Sequence, residues 1–338
     1  MGKPHGEFFF DSVAAFQGTK SAPLDKIAQL GTRSGFEGTA PGQVEGLPAL
    51  KKRARSKTYS DAVKRGLVRL DSPLNKSYFG SMLCVNALEQ RGQKLTSRYC
   101  NARWCTTCNR IRTAQLINGY APVLARLRDL QFVTLTIPNV PASDLRVTIQ
   151  AMTKSAQRIQ DAHKKRHSRG LQSWQLVGLR KLECTHNWKT DTFHPHFHYL
   201  VEGKEAAAAL VRDWLAANPA ATHKAQDLRK ARAGAEKEMF KYFSKLVTDQ
   251  KGVKVTDTAS LDVIFQAMRG ARVFQPVGIK KEVSEDIAAL QSVETDIEPL
   301  AYELWRWFGT DWASHETGET LTGYVPSPQM QELIKNIR

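Results

Sequence analysis

The segment His194-Pro195-His196-Phe197-His198-Tyr199 constrains the chain more than any other. Its histidines recur at every second residue, which is the side-chain period of a β-strand and not of a helix. On a strand, His196 and His198 project from one face, while Phe197 and Tyr199 point the opposite way into apolar packing. A half-buried sheet must therefore form around this segment, and two imidazoles on its polar face can grip one metal ion. Glu183, near the end of the preceding predicted strand, is the candidate third ligand if a hairpin brings it across. Its alternative is a surface carboxylate at the hairpin end. His194 either orients a ligand from behind or sits at the strand entry.

The neighbouring pattern agrees with a sheet. Gln131–Ile137 alternates apolar and polar residues and is rich in β-branched types, so it reads as a strand ended by Pro138-Asn139. Ala142–Arg166 carries Leu145, Ile149, Met152 and Ile159 at roughly helical spacing. Ser173–Cys184 and His194–Glu202 read as strands, Glu205–Leu215 and Ala233–Thr248 as helices. Ser260–Met268 reads as a further helix and Arg272–Val277 as a last strand. The order β-α-β-β-α predicts an α+β fold: an antiparallel sheet with helices on one face, ferredoxin-like or RNA-recognition-like. Fold alone does not fix function.

A second chemical element follows in Glu238-Met239-Phe240-Lys241-Tyr242-Phe243-Ser244-Lys245. On a helix, Glu238, Tyr242 and Lys245 share one stripe, and Met239, Phe243 and Leu246 an adjacent apolar one. A phenol, a carboxylate and an ammonium thus stand together. Tyrosine can act as a covalent nucleophile, but its free pKa near ~10 means that it needs help to ionise. Glu238 is placed to accept a proton, and Lys245 to stabilise phosphate charge or lower the phenol pKa. Mixed nitrogen and oxygen donors with open positions suit Mg2+ or Mn2+ acting on a phosphodiester, with imidazole favouring Mn2+. An open catalytic zinc site would ordinarily have three protein ligands.

Cysteine usage gives a separate module. Cys100, Cys105 and Cys108 have tight metal-ligand spacing, and Cys84 upstream supplies a fourth thiolate, although a histidine such as His186 could replace it. Four thiolates satisfy a closed, structural Zn2+. Arg98, Arg103, Arg110 and Arg112 flank the cluster and are placed to meet phosphates. Cys184, within a strand, reads as a packed core thiol.

The net charge of +16 suits a polyanionic partner. Residues 281–338 carry −7, which leaves +23 on the rest, and Lys51–Arg69 alone holds eight Lys/Arg against one Asp. These shifts and patterns divide the chain into a flexible basic N-terminal arm (1–75), a zinc-binding module (76–115), a sheet-and-helix domain carrying the histidines and Tyr242 (120–280) and an acidic helical C-terminal region (281–338). Trp305, Trp307, Phe308 and Trp312 would pack that last region or dock a host protein. No run of about 18 apolar residues occurs and no signal peptide is recognisable, so no membrane partner and a cytoplasmic location are expected.

Taken together, these segments resemble the HUH endonucleases, and within them the rolling-circle replication initiators of small bacterial plasmids. Phe132-Val133-Thr134-Leu135-Thr136-Ile137-Pro138-Asn139 is similar to the family's first motif, His194–His198 to its metal-binding second motif, and Glu238–Lys245 to its third. The cysteine-rich stretch before the first motif also recurs in that group. The resemblance implies that Tyr242 nicks single-stranded or hairpin origin DNA through a 5′-phosphotyrosine link, freeing a 3′-hydroxyl for a host polymerase, with a host helicase as a further partner. Competing readings are an HUH transposase, a mobilisation relaxase, and a non-catalytic zinc-stabilised DNA-binding regulator. Relaxases usually place their tyrosine before the histidines, the reverse of the order here.

Overall fold

The structure, a computed structural model, describes residues 46–91, 94–232, 235–240, 246–282, 293–294 and 303–338. The chain divides into two compact units. One, the cysteine unit, comprises Met1–Gln115, Val247–Ala259 and Glu285–Arg338; the other, the histidine unit, comprises Leu116–Leu246 and Ser260–Ser284.

In chain order the described elements begin with α1 (Gly46–Val68), α2 (Asn75–Met82), the antiparallel pair β1 (Ala87–Arg91) and β2 (Lys94–Ser97), and α3 (Thr106–Ala125). Then come β3 (Leu130–Thr136), α4 (Ala142–Ser168), β4 (Gly178–Asn187), β5 (Thr192–Glu202), α5 (Lys204–Ala217), β6 (Asp227–Lys230) and α6 (Ala235–Phe240). The remainder is β7 (Thr248–Gln250), β8 (Val253–Val255), α7 (Thr258–Ala267), β9 (Phe274–Val277), β10 (Val293–Glu294), β11 (Glu303–Phe308), β12 (Asp311–Ser314) and α8 (Pro328–Lys335). The fold is α+β with antiparallel sheets, as expected. No helix among the described residues is long and apolar enough to cross a membrane.

The histidine unit is built on a sheet of order β6-β3-β5-β4-β9, antiparallel throughout. Each of its two long crossovers, through α4 and α5, joins strands that flank a third. One sheet face is apolar because every second residue of β5 is: Phe193, Phe197, Tyr199 and Val201 are buried. Trp214 of α5 meets the Phe197 ring at 5.8 Å and donates its indole N–H to the Thr136 carbonyl. From α4, Leu145, Ile149, Met152, Ala156 and Ile159 are buried at helical spacing, and Gln160 donates to the Tyr199 hydroxyl. The expectation of helices on a single face needs amending. Tyr120 and Leu124 of α3 and Met239 and Phe240 of α6 form an apolar cluster with Phe132, Leu179 and Leu200, which lie on the opposite sheet face. That face alternates in character along its length, apolar at Phe132, Leu179 and Leu200 and polar beyond, so helices cover only its apolar end.

One glycine sets the register. A Cβ on Gly178 (φ +158°) would collide with the Leu200 carbonyl oxygen of β5, so only glycine lets β4 lie this close. From that start the pairing runs Lys181 to His198 and Glu183 to His196.

The cysteine unit differs from expectation in two places. The basic stretch from Lys51 is not a free arm. It lies in α1, whose Leu50, Ala54, Tyr59, Val63 and Leu67 are buried, and even Lys57 and Lys64 are buried beside Asp61. Residues 1–45 lie outside the described residues. Among its described residues the acidic C-terminal region is not mainly helical either. β11 and β12 extend the β1-β2 pair into a sheet of order β10-β2-β1-β11-β12, and α8 is its one helix among the described residues. Alternation explains this: Glu303, Trp305 and Trp307 face inward at period two, and Trp305 and Trp312 join Leu88, Leu95 and the cysteines in one core. The tryptophans pack a core, as weighed above, but a strand-built one.

Candidate metal centres

Strand pairing places Glu183, His196 and His198 on one face, with one donor atom from each lying within 4.8 Å of the others. The His196 and His198 Nε2 atoms are 3.1 Å apart, and Glu183 Oε2 is 3.6 Å from His198 Nε2. The back of each ring is held. His196 Nδ1–H donates to the His194 carbonyl at 3.1 Å, which leaves Nε2 as a lone pair facing the site. His198 Nδ1 bonds the Thr134 hydroxyl at 3.1 Å. Burial lowers the pKa of both rings, His198 to about 3, with His196 the next cause. Both imidazoles are thus neutral and able to ligate at neutral pH. Burial works to raise the Glu183 carboxyl, but Lys181 and the two histidines outweigh it and hold its pKa below the ordinary value. Two lone pairs and a carboxylate converging on one point fit a divalent cation.

His194 shares the face, stacks 5.2 Å from His196 and donates from Nδ1 to Asn139 Oδ1 at 2.8 Å. It is not one of the three converging donors. Lys181 was missed from sequence. It is fully buried, and its ammonium donates to Glu183 Oε2 at 2.7 Å. The signal was present, because a residue two before Glu183 on a strand must share its face. Thr134 and Asn139 were also missed, being ordinary polar residues until pairing brings them to the imidazoles.

Glu238 lies in α6, whose buried Met239 and Phe240 pack on the same sheet face as the trio. Phe240 and Phe274 rings are 5.9 Å apart, tying that helix to β9. Tyr242 and Lys245 lie outside the described residues.

In the cysteine unit, Cys84, Cys100, Cys105 and Cys108 bring their sulfurs within 4.8 Å of one another. Separations are 3.5 Å for Cys84–Cys108 and 3.6 Å for both Cys100–Cys108 and Cys105–Cys84. Tetrahedral thiolates on a metal with arms of about 2.3 Å stand roughly 3.8 Å apart, so the set fits such an ion and is too wide for a disulfide. His186 is not the fourth member; its Nε2 meets Asp191 and its Nδ1 Ser260. Cys184 is buried, as expected of a core thiol. The α1 lysines serve this site. Lys57 donates to the Cys84 carbonyl, Asn86 and Asp61. Burial lowers the Lys64 pKa, but negative charge at Cys105, Asp61 and Cys84 outweighs it and raises the pKa above its ordinary value. Buried ammonium groups beside the cluster offset thiolate charge.

With that geometry in hand, similarity to known proteins becomes informative. Residues 92–205 match a family described as replication protein. That stretch holds the histidine strand and three of the four clustered cysteines, and ends before Glu238. The chain is 33% identical over 116 residues to a protein rep of Streptococcus pneumoniae serotype 2, which covers 32% of this chain and 34% of that one. It is 26% identical over 159 residues to a protein rep of Staphylococcus aureus, covering 45% of this chain and 66% of the relative. The chain thus spans about a third of the first relative's length and just under two thirds of the second's. No solved structure matches.

Proposed function

We propose that the chain is a plasmid rolling-circle replication initiator of the HUH type, nicking one strand of origin DNA with Tyr242. The observation that carries this reading is the convergence of Glu183, His196 and His198 on the sheet face where α6 also packs. The strand order β6-β3-β5-β4, with crossovers through α4 and α5, supports a ferredoxin-like palm. The similarity to rep proteins supports the class. Acting on plasmid DNA would place the protein in the bacterial cytoplasm, with host polymerase and helicase downstream.

Glu183, His196 and His198 would hold Mg2+ or Mn2+. The 3.1 Å separation of the two Nε2 atoms is near the ~3.0 Å between adjacent corners of an octahedron with arms of about 2.1 Å. Such an ion supplies Lewis-acid polarisation of the scissile phosphate. The four cysteines would hold Zn2+. Thr134 and the His194 carbonyl keep the imidazoles turned to the site. His194, itself held by Asn139, backs His196. The Tyr242 oxygen attacks phosphorus as its proton passes to Glu238, and the P–O3′ bond breaks. The products are a 5′-phosphotyrosine and, once the leaving oxygen takes a proton, a free 3′-hydroxyl. Lys245 stabilises the phosphate charge. With one tyrosine in the motif, water activated by Glu238 serves in termination.

The test incubates supercoiled plasmid bearing the cognate origin with Mn2+ or Mg2+ and compares wild type with Tyr242→Phe. Wild type should nick and form a covalent adduct on Tyr242 detectable by mass spectrometry, and the variant should do neither. Nicking by both, or by neither, sinks the assignment. Glu238→Ala should keep the first nick and impair clean termination; equal loss of both steps refutes that division of labour.

A further inference from the structure

A groove in the cysteine unit is lined by none of the metal-centre residues. Three stretches form its walls: the last turn of α1 with the turn that ends it, the start of α7, and α8 with the residues after it. Backbone pairing holds the last two together. Arg338 N–H donates to the Thr256 carbonyl at 2.9 Å, and Thr256 N–H to the Asn336 carbonyl at 3.2 Å. Tyr59 of α1 meets the Thr256 hydroxyl at 2.6 Å. Gly66 lets α1 close on both: a Cβ there would stand 2.6 Å from Thr258 Cγ2 and 3.3 Å from Ile337 Cγ2. The groove so framed has a volume of about 260 Å3. Its less exposed lining is mainly apolar, from Ala62, Leu70, Ile334 and Ile337, and its exposed lining is three arginines, Arg65, Arg69 and Arg338. Among the described residues no carboxylate or hydrogen-bond partner engages any of these guanidiniums. Asp61, the nearby acid of α1, is held by Lys57 and Lys64, and the Arg338 carbonyl accepts from the Thr258 amide and hydroxyl.

A lone surface arginine is an ordinary solvated group. Three that edge one apolar groove favour a ligand with an anion joined to an apolar body, because each part then gains a contact. A nucleotide is such a ligand, and guanidinium forks match phosphate oxygens in a way that an ammonium does not. The volume lies below the ~300–1,000 Å3 of sites that enclose a whole small ligand, so one residue of a longer strand fits better than a free cofactor. We propose that Arg65, Arg69 and Arg338 hold the phosphate of one nucleotide of single-stranded DNA, whose base and sugar lie on the apolar floor. A duplex keeps its bases stacked and paired, so only an unpaired strand can lay a base there. The proposal rests on the DNA-acting reading above, but not on its chemistry. It gives the cysteine unit the task of holding an unpaired strand.

The experiment uses the full-length protein as purified and fluorescein-labelled oligothymidylate of about 15 nucleotides. Anisotropy is read without added Mg2+ or Mn2+ at several salt concentrations between about 50 and 200 mM. The double variant Arg65→Gln, Arg69→Gln should flatten the slope of log affinity against log salt by about 0.7, the loss of one phosphate contact on a single strand. It should also weaken binding about tenfold. An abasic strand of the same length should bind wild type more weakly than oligothymidylate does. Ile334→Ser should shrink that difference and leave the slope as it is. Arg212→Gln, on the exposed part of α5, should change neither. An unchanged slope in the double variant overturns the groove. So does a lowered melting temperature that tracks its loss of binding, which would mark the arginines as structural. Leu70→Ser repeats the base test if Ile334→Ser misfolds, and a difference that neither variant shrinks overturns the base contact. If thymidine monophosphate displaces the labelled strand as well as unlabelled oligothymidylate does at equal nucleotide concentration, the groove takes a free nucleotide and the strand assignment falls. An unchanged slope in a protein that nicks sinks the groove alone. A flattened slope in the double variant of a protein that fails to nick sinks the catalytic reading and leaves the groove standing.

Discussion

Four thiols of the cysteine unit close on one another at 3.5 and 3.6 Å, reaching in from loops and a helix start, with buried lysines behind them. In the histidine unit three donors stand on two adjacent strands of a sheet that is complete without any ion. The first set is drawn from loops and the first turn of α3 and not from paired strands, so an ion there would contribute to folding. The second is held by backbone pairing and apolar packing, so an ion there is free to serve chemistry. If both sets hold ions as proposed, the contrast would separate a metal that builds from a metal that reacts.

The strongest attempt to break the contrast is to remove one ligand from each set. Cys105→Ser should release bound metal and unfold the cysteine unit, seen as loss of metal by elemental analysis and of a cooperative melt. His196→Ala should leave the melt within a few degrees of wild type while nicking falls by more than about a hundredfold, beyond what loss of an outer-shell partner costs. Unfolding by both variants would erase the distinction.

Next in size is the buried ammonium. Lys181→Met leaves Glu183 charged, largely buried and unpaired, at a cost of about 3–5 kcal/mol in metal-free protein. Added Mn2+ should recover much of that in urea unfolding. A deficit that ignores Mn2+ would mean that Glu183 does not face the ion.

Acid should distinguish the sites more gently. His198 titrates at about 3 in the folded chain, against an ordinary 6.5. Below pH 6.5 the unfolded chain therefore takes up the proton that the folded chain refuses. Metal-free stability should fall from pH 6.5 toward 3, at no more than about 1.4 kcal/mol per pH unit for this ring. His198→Gln should flatten that slope, and an unchanged slope would show that the ring is not the titrating group. The smallest effect is expected from Asn139→Ala, which frees His194 and should slow nicking about tenfold or less.

Period and spacing made much of this legible. The alternation in His194–Tyr199 gave the strand, its two faces and the histidine pair, and the cysteine spacing gave the cluster. Helical spacing from Leu145 to Ile159 gave α4. What escaped was set by pairing between distant segments. Lys181 matters because β4 lies against β5, and Thr134 because β3 does. The eight cations of Lys51–Arg69 read as part of a flexible basic arm, helical only in its second half, since charge alone does not reveal that Asp61 lets Lys57 and Lys64 be buried. The aromatic C-terminal run read as helix because its strand partners, Ala87–Gln90, lie more than two hundred residues earlier.

The missing side chain at Gly178 carries a consequence for how such a protein can vary. Any larger residue must push β4 away from Leu200 or slide it along by one position. A slide of one would turn Glu183 to the tryptophan side of the sheet and bring Leu182 to the imidazoles. Substitution there would not merely weaken the acid; it would exchange an oxygen donor for a hydrocarbon, although Gly178 stands 18 and 20 residues before the two histidines in sequence.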